Sequence, residues 1–169
     1  MIAIKSVLVA TDFSPASETA LAYGREFARN FGAALHVLHV VDNVYAYMVG
    51  ADAGIGAMVP STLQQELEKS VQKRLDAAVR EDDRRELRAR AVLLTGNATA
   101  MEIVNYASNE KVDLIVLGTH GRGPMSHLLM GNVAEKVVRT APCPVLTVRH
   151  PEAKGRRHEL VYDVEHLPA

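Results

Sequence analysis

Three glycines and one aspartate carry most of the chemistry legible in this chain. Gly118, Gly121 and Gly131 fall in the spacing G-x2-G-x9-G, between the end of an apolar run, Val112 to Leu117, and the start of a helical pattern at Gly131-Asn132. A backbone must come close to a phosphate to bond it and in some loops needs positive φ to do so, both of which a Cβ opposes. A helix beginning near Gly131 offers unpaired N–H groups and the positive end of its dipole, and both favour an anion. His120 and Arg122 lie in the same loop and add donors or charge toward outer phosphates. Asn132 can cap the helix, with Glu135 three residues later as a variant capping box, or turn its amide toward a phosphate oxygen; it cannot do both fully. Thr11 and Asp12 follow the first apolar run, and a carboxylate there suits acceptance from ribose hydroxyls. Each feature has a plainer reading. Glycines at strand ends and helix starts are common turn devices, and Asp12 can serve as a local Asx turn before Ser14. Spacing alone leaves both readings open.

Other chemistries fit poorly. No G-x4-G-K-[ST] occurs, which excludes a P-loop. Gly121-Arg-Gly123-Pro-Met-Ser126 approaches G-x-G-x-x-G but fails, because Pro124 disrupts the turn into a helix and no acidic residue stands about 20 positions on. There is no G-x-S-x-G elbow. His36 and His39 lie three apart on one strand, so they point to opposite faces and cannot chelate together. His120 and His127 lack a Cys or carboxylate set at ligand spacing, so no metal site is expected. Cys143, between two prolines, reads as packed rather than reactive.

The elements that must position these residues alternate. Ile4 to Ala10 is a strand of the kind buried on both faces. Ser14 and Pro15 suit the cap and first position of a helix with Ala20, Leu21, Gly24, Phe27, Ala28 and Phe31 inward, ended by Asn30 and Gly32. Ala33 to Val41 is a second strand, and Val44 to Pro60 a long loop read as a flap. Ser61 caps a helix with Leu63, Leu67, Val71, Leu75 and Ala78 inward, and Arg80 to Arg85 reads as a solvated connector. Leu87 to Thr95 is a more polar strand, expected near a sheet edge. A helix with Ala100, Ile103, Val104 and Ala107 inward, a strand over Val112 to Leu117, a helix from Gly131-Asn132 and a strand over Pro144 to Arg149 complete the series. This β-α alternation predicts a parallel sheet with helices on both faces. Ligands of such sheets sit beyond the carboxyl ends of the strands, where Ala10 to Ser14 and Gly118 to Ser126 would meet.

Composition sets the bounds. The 169 residues suit one domain, 48% of them apolar and 23% charged, with a net charge of −1 that favours neither nucleic acid nor an anionic membrane. No run approaches the ~20 apolar residues of a membrane span, and the N-terminus lacks the features of a signal peptide. The single cysteine excludes an internal disulfide and fits a reducing cytoplasm.

The segments VLVATDFSPASETAL, LHVLHVVD and GTHGRGPMSHLLMGNVAEKVVRTAPCPVLTVR resemble the universal stress protein family. The likeness covers a domain of residues 1–150 and leaves 151–169 as a polar C-terminal tail. It implies a three-layer α/β/α fold, Rossmann-like and of the adenine nucleotide alpha hydrolase type, with a five-stranded parallel sheet of order 3-2-1-4-5. The ATP-binding branch carries G-x2-G-x9-G-[ST]; Gly118, Gly121 and Gly131 match, and Asn132 replaces the final hydroxyl residue. The resemblance further implies that Asp12 and Val40 flank an adenosine while Gly118, Gly121, Gly131, Asn132 and the backbone of Val133 hold the phosphates, on which Mg or Mn could ride. It also suggests a homodimer through the last strand, where Val145, Leu146 and Val148 make an apolar edge. The function expected is an ATP-binding stress-response or signalling module, with slow hydrolysis at most since no general base, loop lysine or second acidic motif is evident. The alternative is a nucleotide-free dimeric scaffold that acts by protein contact. A transferase or hydrolase of related folds ranks below both, because ATDFSP stands where a catalytic signature would follow the first strand.

Overall fold

The alternation expected from the sequence is the architecture of the chain. The computed structural model describes residues 3–46, 62–119 and 131–149, and the long loop at 47–61, the glycine loop at 120–130 and the tail beyond Arg149 lie outside them. The elements are β1 (Ser6–Ala10), α1 (Pro15–Phe31), β2 (Ala34–Val41), α2 (Leu63–Ala78), α3 (Glu81–Leu87), β3 (Arg90–Thr95), α4 (Thr99–Asn109), β4 (Leu114–Gly118), α5 (Asn132–Thr140) and β5 (Val145–Val148). All strand pairs are parallel, in the order β3-β2-β1-β4-β5. The chain builds outward from β1 to β3, then crosses back to β4, so the order reverses between β1 and β4. Their carboxyl ends open a crevice at that switch point.

Side chains alternate across the sheet with the period of two that a pleat imposes. Val7, Val9, Leu35, Val37 and Val116 pack on one face with Ala20, Leu21 and Ala28 of α1, Leu75 of α2 and Leu87 of α3. Leu8, Leu38, Ile115 and Leu117 pack on the other with Ile103, Val104 and Ala107 of α4 and Ala134 and Val137 of α5. Val7, Leu8 and Val9 of the central strand have no exposure at all. Ser14 caps α1 by accepting from the Ser17 N–H, Pro15 opens the helix, and Gly32 closes it in the left-handed conformation.

Several local expectations need correction. Phe31 and Leu63 point outward, at 45% and 38% exposure. Each ends its helix, where a residue has a neighbouring turn on one side only. Ser61 lies outside the described residues, and Thr62 stands at the α2 cap without a side-chain bond. The charge run is not a connector. It forms α3, and its Asp83 is 1% exposed, accepting at Oδ2 from Arg25 Nε of α1 (2.8 Å) and from the Arg80 N–H (3.1 Å). Leu87 therefore closes α3 inside the core, and β3 begins only at Arg90. β3 is an edge strand, as its polarity predicts.

Candidate functional site

The turn from β1 into α1 is built by its own side chains. Thr11 is buried at the end of β1, with its N–H on the Leu38 carbonyl (2.8 Å). Its hydroxyl oxygen accepts from the Phe13 N–H (3.0 Å), and Asp12 Oδ1 accepts from the Ser14 N–H (3.0 Å). The second bond is the Asx turn that competes with a ligand role for Asp12, and it engages one of the two carboxylate oxygens. Burial pushes the Asp12 carboxyl up, but hydrogen bonding, chiefly from Ser14, outweighs burial and holds its pKa below the ordinary aspartate value. Half-exposed and ionised, Asp12 stands at the crevice as an acceptor.

Phe13, in the middle of this turn, has φ 60°. A left-handed aromatic residue costs on the order of 1–2 kcal/mol and persists only where its surroundings hold it. Its ring lies 4.6 Å from the His39 ring on β2, and the Arg74 guanidinium of α2 stands 4.3 Å from its centroid. His39 in turn donates from Nδ1 to the Thr11 carbonyl (2.6 Å). Sequence reasoning weighed His39 only as a metal ligand and gave Phe13 and Arg74 no role, since no motif links positions 13, 39 and 74; they meet only once the sheet forms.

The other wall is β4 and the start of α5. The Thr119 N–H continues the β4–β5 ladder to the Val148 carbonyl (2.9 Å), and the Gly131 N–H bonds the Thr119 carbonyl (2.6 Å), which ties the α5 N-terminus to the end of β4. Neither Gly118 nor Gly131 has positive φ, so of the two reasons for glycine the conformational one does not apply; among the described glycines only Gly32 has positive φ. Their need for glycine is proximity. A Cβ on Gly118 would stand 2.9 Å from the Ala16 carbonyl carbon in the first turn of α1, and one on Gly131 would stand 3.1 Å from the Thr119 carbonyl oxygen.

Asn132 is not the cap of α5. Gly131 holds that position in an extended conformation, and its carbonyl accepts the first helical bond from Glu135 N–H (2.9 Å). Asn132 is thus the first helical residue, exposed and past the point from which a side chain caps. The capping box fails with it: the Glu135 carboxylate accepts from Arg139 (3.3 Å) instead. The competition expected for the Asn132 amide therefore does not arise. Helix geometry leaves the N–H groups of Asn132, Val133 and Ala134 without intrahelical partners. Val133 is 40% exposed, and Val40 is half-buried, one residue from the end of β2. His120, Gly121 and Arg122 lie outside the described residues.

Polar clusters away from this crevice serve the fold. Gln64 of α2 accepts from the Val44 N–H (3.0 Å) and donates to Glu68 (2.9 Å), which also accepts from the Thr95 hydroxyl (2.7 Å). Those hydrogen bonds hold the Glu68 pKa below its ordinary value. His36 and His39 do face opposite sides. His36 is buried, accepts from Arg90 at Nε2 (2.8 Å) and meets the Tyr106 hydroxyl at Nδ1 (3.1 Å), so the neutral ring carries its proton on Nδ1. Burial, aided by the Arg90 charge, lowers its pKa to about 4. Cys143 packs against the α4–α5 side of the core, and burial with the nearby Asp113 charge pushes its thiol up. Among the described residues no cluster of His, Cys, Asp or Glu could hold a metal ion, and no helix is long and apolar enough to cross a membrane.

Comparison with known proteins agrees with this geometry. A universal stress protein of Methanocaldococcus jannaschii is 32% identical over 149 residues, covering 88% of this chain and 84% of its own. One of Thermus aquaticus is 36% identical over 150 residues, covering 86% and 98%. The solved structure of the universal stress protein from Archaeoglobus fulgidus in complex with dAMP has a TM-score of 0.58 at 23% identity, over 87% of this chain and all but 1% of that one (99%), a likeness of fold. The model of the universal stress protein family matches residues 3–149. With that match spanning most of the sequence, the chain belongs to the universal stress protein family.

Proposed function

We propose that this protein binds ATP in the crevice between β1 and β4 and acts as a stress-response or signalling module whose occupancy shifts its contacts with partners. The observation that carries this reading is the bond from Gly131 N–H to the Thr119 carbonyl, which sets the unpaired N–H groups of α5 at the end of β4, beside β1 and the turn that holds Asp12. Asp12 accepts from the ribose through the carboxylate oxygen not used by the Asx turn, and Val40 lies against the adenosine. Gly118 and Gly131, the amide of Asn132, the Val133 N–H and, from the intervening loop, His120, Gly121 and Arg122 take the phosphates, with Mg or Mn carried on them. Thr11 holds the turn from beneath. The Archaeoglobus fulgidus relative was solved in complex with dAMP, but at 23% identity the reading rests on the residues rather than on that likeness. Such a module regulates only if it binds nucleotide differently in two states.

The test is direct. Denature the purified protein, separate the supernatant by ion exchange and look for stoichiometric adenine nucleotide; then titrate Mg-ATP by calorimetry. Gly131→Val is expected to abolish binding, since its side chain fills the space beside Thr119. Asn132→Ala is expected to weaken it by about 1.5–3 kcal/mol, the worth of a hydrogen bond to a charged group. Unchanged affinity in both variants removes the proposed site.

A second reading, a nucleotide-free dimeric scaffold, is favoured by one observation. β5 is an edge strand whose Val145 and Leu146 are only half-buried, and pairing with a second copy would cover them. The same dimer is compatible with the nucleotide reading. Light scattering on wild type and Val145→Lys tests it; a wild-type monomer at micromolar concentration removes the dimer. No released nucleotide and no binding at millimolar ATP select the scaffold.

A further inference from the structure

We propose that Phe13 is a positioning residue for the Asp12 carboxylate, held in the left-handed conformation by His39 of β2 and Arg74 of α2. The inference rests on the nucleotide reading above and adds to it the device that fixes the acceptor. The Asx turn closes from Asp12 Oδ1 to the Ser14 N–H, and Phe13 is the residue between them, so the φ of Phe13 sets where the carboxylate points. That φ of 60° is one a bulky side chain resists, and the turn supplies four restraints against its relaxation. The Phe13 N–H is taken by the Thr11 hydroxyl (3.0 Å), and its carbonyl accepts a long bond from Arg74 Nη2 (3.5 Å). Its ring contacts the His39 ring at 4.6 Å and the Arg74 guanidinium at 4.3 Å. His39 also donates to the Thr11 carbonyl (2.6 Å), so the ring that supports Phe13 pins the preceding residue too. β2 and α2 thus converge on one half-buried residue of the turn between β1 and α1. The ring also packs against the core on the α1–α2 face of the sheet, whereas a glycine would adopt the same φ with no such support. An aromatic residue at that place ties the direction of the Asp12 carboxylate to the relative position of β2 and α2.

Two measurements test it on the full chain. In Mg-ATP titrations, Phe13→Ala is expected to lose about tenfold or more in affinity, Arg74→Ala about threefold, and Phe13→Tyr to stay within about threefold of wild type. In an NMR pH titration of the carboxyl carbons, the Asp12 midpoint is expected to rise in Phe13→Ala and to stay low in Phe13→Tyr, while the other carboxyl midpoints hold. A folded Phe13→Ala with wild-type affinity, or with an unmoved Asp12 midpoint, overturns the proposal. If wild type binds no nucleotide, the functional reading fails, and the Asp12 titration still decides the role of Phe13. Should Phe13→Ala fail to fold, Arg74→Ala, on the exposed face of α2, supplies both readouts with the same outcomes.

Discussion

Two aspartates, Asp83 on α3 and Asp12 in the β1–α1 turn, both accept bonds from backbone N–H groups, yet they do opposite work. Asp83 is sealed from water and spends its acceptor capacity inward, on Arg25 and the Arg80 N–H. Arg25 continues the linkage to the Ala78 carbonyl (2.8 Å), so one ion pair joins α1, the end of α2 and α3. Arg29 Nη2 stands 3.9 Å from Oδ1, near enough to share charge but beyond a hydrogen bond, and Oδ1 is left without a hydrogen-bond partner. Asp12 makes its bond within its own turn, to Ser14, and stays half-exposed at the crevice. A carboxylate bonded across elements holds the fold together. One bonded within its own loop is oriented and still accessible.

That contrast can be broken by substitution. Asp83→Ala is expected to cost the most, about 3–5 kcal/mol in urea denaturation, because it strands the buried Arg25 charge. If folded at low temperature, it keeps wild-type ATP affinity. Next comes His36, another group turned inward. Its folded pKa of about 4 lies below the unfolded value near 6.5, so the unfolded chain takes up the proton first. Stability is then fully present above pH 6.5 and falls by on the order of 2–3 kcal/mol as pH drops toward 4. His36→Gln is expected to lose this slope in pH-dependent denaturation; a slope equal to wild type contradicts it. The bonded, depressed carboxylates Asp12 and Glu68 lose their contribution only at lower pH, which separates the two windows. Asp12→Ala reverses the pattern, with a loss of about 1.5–3 kcal/mol in nucleotide binding and less than about 1 kcal/mol in stability. Least affected is Arg85→Ala on the outer face of α3, where the exposed Asp82 pair (2.7 Å) contributes under about 0.5 kcal/mol. A cost as large as that of Asp83→Ala would erase the distinction between the two faces of that helix.

The sequence displayed the fold more fully than it displayed the site. Strand and helix alternation, the Ser14–Pro15 start of α1 and the Gly32 stop rest on local chemistry, and local chemistry is what a sequence shows. α3 escaped because EDDRRE reads as uniformly solvated; nothing in six charged residues marks which one meets Arg25, 58 positions away. The glycine pattern located Gly118 and Gly131 and the need for close approach, but not the neighbours that crowd a Cβ, which are Ala16 and Thr119 of the protein itself. The Asn132 cap was displaced by one residue, an error within the reach of helix-boundary reading. Phe13, His39 and Arg74 were illegible for the reason Asp83 was: their meaning lies in a contact between distant segments.

The placement of β1 has a consequence for how the chain is made. β1 pairs in register with β2, Val7 opposite Leu35, but its other neighbour is β4, with Val7 opposite Leu114. The Lys5 and Ser6 N–H groups likewise wait for the Asp113 carboxylate, up to 108 residues downstream. On a ribosome adding roughly 5–20 residues per second, the central strand of the sheet is half-finished for about 5–20 s. During that interval Val7, Leu8 and Val9 have one open flank, and the sheet cannot close until β4 has emerged. The centre of the finished protein is therefore the stretch most exposed to mispairing during its synthesis.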